Sequence, residues 1–422
     1  MKKLGVITFG CRLNSLESES IISAFKNEGW TVDEGSDEDD AIIINTCTVT
    51  SKADQGARRI IRKFGSRVPT IVTGCYATLS QKSDIESLGS YVQLIKDKSV
   101  ILERDFILSL TNNKGVFDIE EHIYNPFVFT PDKFSLHSRA SLKIQDGCDN
   151  SCSFCAVHLA RGKSVCLSPD EVLTRIKQLE DSGYNEICLT GVNLSSYHFG
   201  NVSFSSLLDM IVPRLGKDTR LRFSSLEPDY LDERFFDVVQ DVHIFPFFHL
   251  PIQSASKKVL ALTGRKYDKN DLILVIEKLK RAKENPYIAA DFITGLPGEG
   301  EDEFKETYNF IKDMKLSKLH VFPYSPRSGT AAAKEHRVPE RIRDERATLL
   351  QTLSNTLYNR YIRSCNNTVL EAIIERETKN GLAVTTGNYI KAVVKNPDIS
   401  LKEGELVKGI LTTENEGVYF SV

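Results

Sequence analysis

Three cysteines stand close together in the second third of the chain, Cys148, Cys152 and Cys155, with a spacing of Cys-x3-Cys-x2-Cys. Three thiolates can ligate three irons of a 4Fe–4S cube, which leaves the fourth iron open to another ligand. A zinc knuckle is the alternative, because zinc usually takes four ligands and His158 could supply the fourth. The short, uneven spacing favours the iron–sulfur cluster.

A second set of three cysteines, Cys11, Cys47 and Cys75, is dispersed along the first part of the chain. Each follows a predicted strand, at residues 4–9, 41–45 and 70–73. The ends of parallel strands meet at one edge of a sheet, where ligand sites form. Gly10 and Gly74 precede two of these cysteines and favour a close backbone approach. The three thiols could hold a second cluster, or they could be ordinary buried cysteines.

Length and composition set limits on what these cysteines serve. A chain of 422 residues predicts two or three domains. Its formal net charge of −3 excludes a basic field over the whole chain, so nucleic-acid binding would need local patches. We expect no membrane span, because no apolar run reaches about 18 residues. The N-terminus is typical of a strand and not of an export signal, which predicts a cytoplasmic location where nine cysteines favour metal binding over disulfides.

Strands and helices are predicted to alternate in two series, which indicates an α/β fold. The first series forms an N-terminal parallel sheet covered by helices. The second has six strands, at 141–145, 186–190, 220–224, 245–250, 289–294 and 318–322. Helices are predicted between them at 169–182, 204–215, 233–239, 270–284 and 301–315. Six β/α units indicate a partial parallel barrel, with chemistry at the carboxyl ends of its strands.

The last part of the chain changes character. A long helix is predicted at 340–363, and short strands follow at 369–374, 382–385, 390–394, 406–411 and 418–422. This pattern is typical of a small five-stranded barrel of OB-like kind. The predicted domains are therefore residues 1–125, a proline-containing linker at 126–137, a central unit at 138–360 and the small barrel at 361–422.

With these motifs, the whole chain resembles the methylthiotransferases, which are radical S-adenosylmethionine (SAM) enzymes that insert a methylthio group into tRNA bases or a ribosomal protein. The segment Thr8-Phe-Gly-Cys-Arg-Leu-Asn-Ser-Leu-Glu-Ser18 is similar to the branch acting on N6-threonylcarbamoyladenosine in tRNA. Isopentenyladenosine enzymes usually show Gln and Met after that cysteine, and the ribosomal-protein branch Pro and Lys. Further similar segments are 189–193, 223–228, 249–254, 291–299 and 320–330. Thr386-Gly387-Asn388-Tyr389 resembles the TRAM domain, an RNA-binding module of this family.

The resemblance implies two 4Fe–4S clusters with six catalytic cysteines. Cys148, Cys152 and Cys155 would bind the cluster that cleaves SAM, and the dispersed cysteines would bind the second. Residues expected to contact SAM are Phe154, Gly191, Val192, Ser225, Glu227, Gln253, Asp291, Ile293 and Gly295. The Glu227 carboxylate suits ribose hydroxyls because it accepts two hydrogen bonds, although a solvated loop charge is the alternative. We expect Cys188 in the core, and His249 could be either a core residue or part of the site.

The family also implies partners. The substrate base would be presented by a tRNA anticodon loop, because splayed loop bases are the readable part of RNA. An electron donor such as a flavodoxin-type protein is expected, and nothing in the sequence identifies the sulfur donor. The segment 361–422 has seven Lys or Arg against eight Asp or Glu, so RNA binding there needs a local basic face. Isopentenyladenosine, a ribosomal protein, or a non-catalytic metal- and RNA-binding role are the alternatives.

Overall fold

The computed structural model describes residues 2–48, 50–111, 124–134, 138–379, 381–394, 401–414 and 417–422. Residues 112–123 of the predicted first domain and 135–137 of the predicted linker lie outside this part of the chain. Within the described part, no helix has both the length and the apolar character needed to cross a membrane.

The N-terminal unit is a five-stranded parallel sheet in the order β2-β1-β3-β4-β5. Its elements are β1 (Lys3–Thr8), α1 (Arg12–Asn27), β2 (Thr31–Asp33), β3 (Ala41–Thr46), α2 (Ser51–Gly65), β4 (Thr70–Gly74), α3 (Cys75–Leu79), α4 (Lys82–Glu86), β5 (Val92–Leu94) and α5 (Arg104–Thr111). The predicted parallel sheet is confirmed. Sequence reasoning missed β2 and β5, because a strand of three residues is too short for a periodic pattern.

Successive residues of β3 point to opposite faces of this sheet, as strand geometry requires. Ile43 packs with Phe25 and Trp30 on one face, and Ile42 packs with Phe64 on the other. Both faces are therefore covered by apolar side chains. Polar functional groups can therefore be accommodated at the carboxyl edge of the sheet.

The central unit is an open barrel of six parallel strands in the order β6-β9-β12-β13-β14-β15. Its main elements are β6 (Ala140–Lys143), β7 (Gln145–Asp146), α6 (Val157–Arg161), β8 (Val165–Cys166), α7 (Pro169–Asp181), β9 (Glu186–Thr190), β10 (His198–Phe199), β11 (Val202–Ser203), α8 (Phe204–Ile211), β12 (Arg220–Phe223), α9 (Glu233–Val238), β13 (Phe247–Gln253), α10 (Lys257–Leu262), α11 (Lys269–Ala282), β14 (Tyr287–Thr294), α12 (Glu301–Met314) and β15 (Lys318–Pro323). The predicted partial barrel is confirmed, with strand bounds within two or three residues of those expected.

The long helix α13 (Glu340–Ser364) packs against β15 and leads into the C-terminal unit. That unit is a closed barrel in the order β16-β17-β18-β20-β19. Its strands are β16 (Thr368–Thr378), β17 (Gly381–Thr386), β18 (Lys391–Val394), β19 (Leu406–Glu414) and β20 (Gly417–Ser421). The predicted five-stranded barrel is confirmed, and it has its own apolar core.

A buried arginine joins the C-terminal barrel to the base of the central one. Arg222 donates to the carbonyl of Gly387 at 2.9 Å and to the Glu186 carboxylate at 2.6 Å. Its guanidinium also lies 5.1 Å from the ring centroid of Phe247 and 5.0 Å from that of Tyr389. The turn that carries Tyr389 therefore closes the amino-terminal end of the central barrel.

A buried ion network joins the N-terminal unit to the central barrel. Glu17 on α1 is fully buried and accepts hydrogen bonds from Lys98, from Lys143 at 2.8 Å and from Arg161 at 3.0 Å. Asp146 pairs with the same Lys143 and Arg161, each at 3.0 Å. Burial by itself would raise the pKa of Glu17, but the three surrounding cations hold that pKa well below its usual value. Glu17 is therefore ionised and bridges the two units.

We predict that Glu17→Gln destabilises the protein by about 3–5 kcal/mol, because it leaves three buried cations with one carboxylate. The measurement is the free energy of chemical unfolding of the metal-free protein, with intrinsic fluorescence as the signal. Asp181→Asn is the matched acid-to-amide control, because Asp181 pairs with Lys177 on an exposed helix face. The control should change stability by less than about 0.5–1 kcal/mol. Equal losses in the two variants would contradict the bridging role of Glu17.

Candidate active site

The dispersed cysteines come together at the carboxyl edge of the N-terminal sheet. Cys11 caps the start of α1, Cys47 directly follows β3, and Cys75 opens α3 directly after β4. Strands β1, β3 and β4 are neighbours, and the pairing of Thr46 with Gly74 places Cys47 beside Cys75. We call Cys11, Cys47 and Cys75 the auxiliary trio. The strand-end argument from the sequence correctly places them at one edge.

Gly10 and Gly74 hold this edge tightly, as the sequence suggested. Gly10 has φ +103°, and a Cβ there would lie 2.5 Å from the Cβ and 2.6 Å from the Sγ of Cys47. Gly74 has φ +93°, and a Cβ there would lie 2.3 Å from the carbonyl oxygen of Thr46. Only glycine fits both the backbone conformation and the space. The two turns therefore set how closely the auxiliary trio converges.

The local cysteines Cys148, Cys152 and Cys155, which we call the radical trio, lie in the loop after β7. The amide of Cys148 donates to Gly162 at 3.0 Å, and that of Cys155 donates to Cys152 at 3.0 Å. Burial raises the pKa of Cys148, and it raises the pKa of Cys155 to about 11. Without a metal these thiols keep their protons, and binding iron would release them.

Cations stand beside both trios. Arg265 lies next to Cys152 and Cys155. Arg161, at the end of α6, interacts electrostatically with Cys75 and Cys11. Positive charge at these places favours thiolate ligands and the negative charge of an iron–sulfur cluster.

Arg161 also joins the segments that carry the two trios. It follows Cys155 by six residues and lies on helix α6. Helix α6 packs against α3, and α3 begins at Cys75. The guanidinium of Arg161 donates to Asn14 at 2.8 Å, one turn into the helix that Cys11 caps. The loop of the radical trio is thus fastened directly to the edge that carries the auxiliary trio.

A second contact fixes the Cys47 loop. Arg327, in the segment after β15, donates to the hydroxyl of Thr48 and to the carboxylate of Asp54. Ser325 accepts a hydrogen bond from the amide of Ser51 at 2.9 Å. The segment 320–330, quoted from the sequence for its family likeness, therefore holds the auxiliary trio against the barrel.

The cysteine spacing bears on the zinc alternative. Among the described residues, one group of three potential metal ligands has all its ligand atoms within 4.8 Å of one another. This group is His249, Asp291 and His320, and it contains no cysteine. The sulfurs of each trio are therefore spread more widely than the ligands of one zinc ion, whose Zn–S bonds of about 2.3 Å keep sulfurs closer than about 4.6 Å. Wide spacing, thiol chemistry and adjacent cations fit a polynuclear cluster at each trio.

The residues expected to contact SAM lie along the carboxyl ends of the central strands. Phe154 and Ile293 pack in one apolar group with Leu296. Gly191 donates its amide to Ser224, and Gly295 donates its amide to Glu299 at 2.7 Å. The remaining members of this set are Val192 after β9, Ser225 after β12, and the buried Gln253 at the end of β13. Their assignment to SAM stays a prediction.

Glu227 is buried, with 8% of its surface exposed, so the alternative of a solvated loop charge is wrong. Its carboxylate accepts a hydrogen bond from Arg265, the cation beside Cys152, and one from the hydroxyl of Tyr267 at 3.5 Å. The backbone amide of Glu227 is not involved in this pairing. It donates a hydrogen bond to Ser195 Oγ at 2.8 Å. Glu227 therefore holds Arg265 against the radical trio, and its predicted contact with ribose would share the carboxylate with that arginine.

His249 lines the barrel interior, because its neighbours Phe248 and Leu250 pack in the outer core. Its Nδ1 lies 2.8 Å from Ser225 Oγ, and its Nε2 lies 2.8 Å from Asp291 Oδ1. His320 Nδ1 lies 3.2 Å from the same Asp291 oxygen. Burial by itself would raise the pKa of Asp291, but the hydrogen bonds from His249 and His320 lower it to about 2. His249 and Asp291 are half-buried and His320 is exposed, so this polar row borders a partly open part of the barrel interior, which we call the chamber.

Cys188 is buried, as expected, but it faces the barrel interior and not the outer core. Its neighbours Ile187 and Leu189 take the outward positions, and its sulfur accepts a hydrogen bond from Arg12 of the N-terminal unit. Sequence reasoning also missed Glu17, Arg161 and Arg265. Their partners are distant in sequence, so no local spacing marks them.

Comparison with known proteins matches two parts of the chain to protein families. Residues 142–311 match the radical SAM superfamily. Residues 3–96, which include the auxiliary trio, match the uncharacterized protein family UPF0004.

Curated relatives match nearly the whole chain. A threonylcarbamoyladenosine tRNA methylthiotransferase MtaB of Treponema pallidum is 33% identical, covering 99% of this chain and 99% of that protein. The protein of the same name from Bacillus subtilis is 36% identical over 95% of this chain and 92% of its own length. A tRNA-2-methylthio-N(6)-dimethylallyladenosine synthase of Bartonella henselae is 30% identical, over 94% and 92%.

Solved structures support the fold. The radical SAM methyltransferase TsrM from Kitasatospora setae aligns with a TM-score of 0.52 at 14% identity, covering 77% of this chain and 75% of that one. At this identity the likeness concerns architecture alone.

We predict that Gly10→Ala displaces Cys47 and removes the iron of the auxiliary trio, which is about four of about eight irons per chain. The measurement is iron and sulfide content after anaerobic reconstitution. Gly29→Ala is the matched control, because Gly29 also has positive φ but nothing lies within 4 Å of its added Cβ. The control should keep its iron. Full iron in Gly10→Ala would show that the close approach to Cys47 does not shape the site.

Proposed function

The chain belongs to the tRNA methylthiotransferases of the radical SAM superfamily, and on that basis we propose that it methylthiolates C2 of N6-threonylcarbamoyladenosine next to the tRNA anticodon. The observation that carries this proposal is the pairing of the radical and auxiliary trios across Arg161. A single cluster serves SAM cleavage alone, whereas two thiol sets suit a reaction that also inserts sulfur. The threonylcarbamoyl substrate rests on the names of the relatives in Treponema and Bacillus.

Two 4Fe–4S clusters and SAM, when bound, would supply a carbon radical that removes the C2 hydrogen and a methylated sulfur that replaces it. Cys148, Cys152 and Cys155 would hold the first cluster and leave one iron for SAM. Cys11, Cys47 and Cys75 would hold the second. The six cysteines are therefore the catalytic ligands of the proposal.

The chain's other residues position these groups and the base. Arg265, held by Glu227, places a fixed cation beside the radical trio. Arg161 does the same at the auxiliary trio and keeps the two sites in one chamber. Phe154 and Ile293 offer an apolar surface, and Gly191, Val192, Ser225, Gln253, Asp291 and Gly295 line the strand ends where SAM is proposed to lie. Such preorganisation is the protein's part in cofactor chemistry.

The domains divide this work. We assign residues 1–125 to the auxiliary cluster, 138–360 to SAM and 361–422 to RNA, with 126–137 as linker. In the small barrel the exposed side chains include Arg376, Lys379, Lys391 and Lys408, which supply local positive charge despite the slightly acidic total. The partner RNA is the anticodon loop, and a flavodoxin-type protein is the proposed electron donor.

We predict that a strain lacking this gene loses 2-methylthio-N6-threonylcarbamoyladenosine and retains the unmethylthiolated nucleoside. Wild type should restore the modification, and Cys11→Ala/Cys47→Ala/Cys75→Ala should not. Cys166→Ala, a half-buried cysteine outside both trios, is the matched control and should restore it. The measurement is nucleoside mass spectrometry of bulk tRNA. Loss of 2-methylthio-dimethylallyladenosine in place of the threonylcarbamoyl product would assign the other tRNA substrate found among the relatives.

A further inference from the structure

Arg12 occupies an unusual place for a cation. It follows Cys11 at the start of α1, and its side chain reaches out of the N-terminal unit into the central barrel. There it donates to the sulfur of Cys188, and it also interacts electrostatically with Tyr389 and Glu186. It is enclosed by both units and yet keeps part of its surface open to solvent. The guanidinium is therefore an enclosed cation at the junction of the two units.

The charges around Arg12 do not balance. Three guanidiniums stand at the base of the barrel interior, those of Arg12, Arg139 and Arg222, and they face the carboxylates of Glu186 and Glu375. Arg222 forms an ion pair with Glu186 at 2.6 Å, and Arg139 forms one with Glu375 at 3.2 Å. Among the described residues, no carboxylate lies within 4.0 Å of the Arg12 guanidinium. One permanent positive charge is left with a thiol as its partner.

Asp291 also lies in the chamber, but its carboxylate does not neutralise the charge of Arg12. Asp291 already accepts hydrogen bonds from His249 at 2.8 Å and from His320 at 3.2 Å. Leaving a charged group in an enclosed site without a counter-charge costs free energy. A planar guanidinium with unused donors is suited to a carboxylate, which it can bind through two parallel hydrogen bonds. A carboxylate that enters from outside would supply the missing counter-charge.

We propose that Arg12 binds the free carboxylate of the threonyl group on the substrate adenine, and so selects a charged N6 substituent over an apolar one. This inference rests on the proposed function, because it names the part of that substrate which the chamber recognises. A dimethylallyl group carries no charge and gains nothing from Arg12. The polar row of His249, Asp291 and His320 supplies further hydrogen-bonding groups on the chamber wall.

The test measures binding of anticodon stem–loop RNAs to the anaerobically reconstituted protein without reductant, so that no turnover occurs. The RNAs differ only in the N6 group of the target adenine: threonylcarbamoyl with its free acid, its methyl ester, and dimethylallyl. Fluorescence anisotropy gives each Kd. The variants are Arg12→Gln, Arg12→Lys and, as a control, Arg281→Gln on the exposed face of α11. Iron content and the visible absorption signal of the clusters are recorded for every variant, because Arg12 adjoins Cys11.

Wild type and Arg281→Gln should bind the free acid roughly 10- to 100-fold more tightly than the ester, the range for a hydrogen bond to a charged group. In Arg12→Gln this ratio should fall to about one, with the ester and dimethylallyl RNAs unchanged. The ratio for Arg12→Lys should lie between those of wild type and Arg12→Gln, because lysine keeps the positive charge but cannot form two parallel hydrogen bonds with a carboxylate. An Arg12→Gln variant that keeps the full ratio, or that weakens all three RNAs equally with a changed cluster signal, would overturn the proposal.

A separate assay with reductant distinguishes this failure from failure of the proposed function. Wild type that converts the free-acid RNA while Arg12→Gln keeps the binding ratio would disprove only the role of Arg12. Wild type that converts the dimethylallyl RNA and leaves the free-acid RNA unchanged would disprove the proposed substrate itself, and the Arg12 proposal with it.

Discussion

The buried ion network of Glu17, Asp146, Lys98, Lys143 and Arg161 is the constraint on which the rest of the structure depends. Charges taken out of water cost free energy unless they are paired, so this network favours one arrangement of the N-terminal sheet against the barrel. It holds three cations and two carboxylates, and the additional positive charge lies beside Cys11 and Cys75. The same interaction that joins the two units thereby places positive charge at the proposed site of the auxiliary cluster.

Each cysteine of the auxiliary trio is held by a contact that crosses between the units. Cys11 is followed by Arg12, which enters the barrel, and the loop after Cys47 is held by Arg327. The helix that Cys75 opens packs against the helix that ends at Arg161. The auxiliary edge is therefore part of the barrel chamber and not a separate site on a neighbouring domain. This arrangement suits the proposed reaction, in which two clusters would act on a single base.

The fold and the two trios could be predicted from the sequence because their signals are local. Strand and helix periodicity located the six barrel strands, and the strand-end position of Cys11, Cys47 and Cys75 placed them at one edge. Glu17, Arg161 and Arg265 could not be predicted, because each acts through a partner far away in the chain, such as Lys143 for Glu17 and Glu227 for Arg265. The burial of Cys188 was predicted correctly, but its contact with Arg12 was not, since an alternating strand does not reveal which face meets an arginine from another domain.

The central claim is that two metal centres share one chamber. Anomalous diffraction at the iron edge, from crystals of the anaerobically reconstituted protein, tests it most directly. The account predicts two iron positions, one at Cys148, Cys152 and Cys155 and one at Cys11, Cys47 and Cys75, with Arg161 beside the second. Iron at the radical trio alone, or an auxiliary iron site turned away from the barrel, would contradict the account.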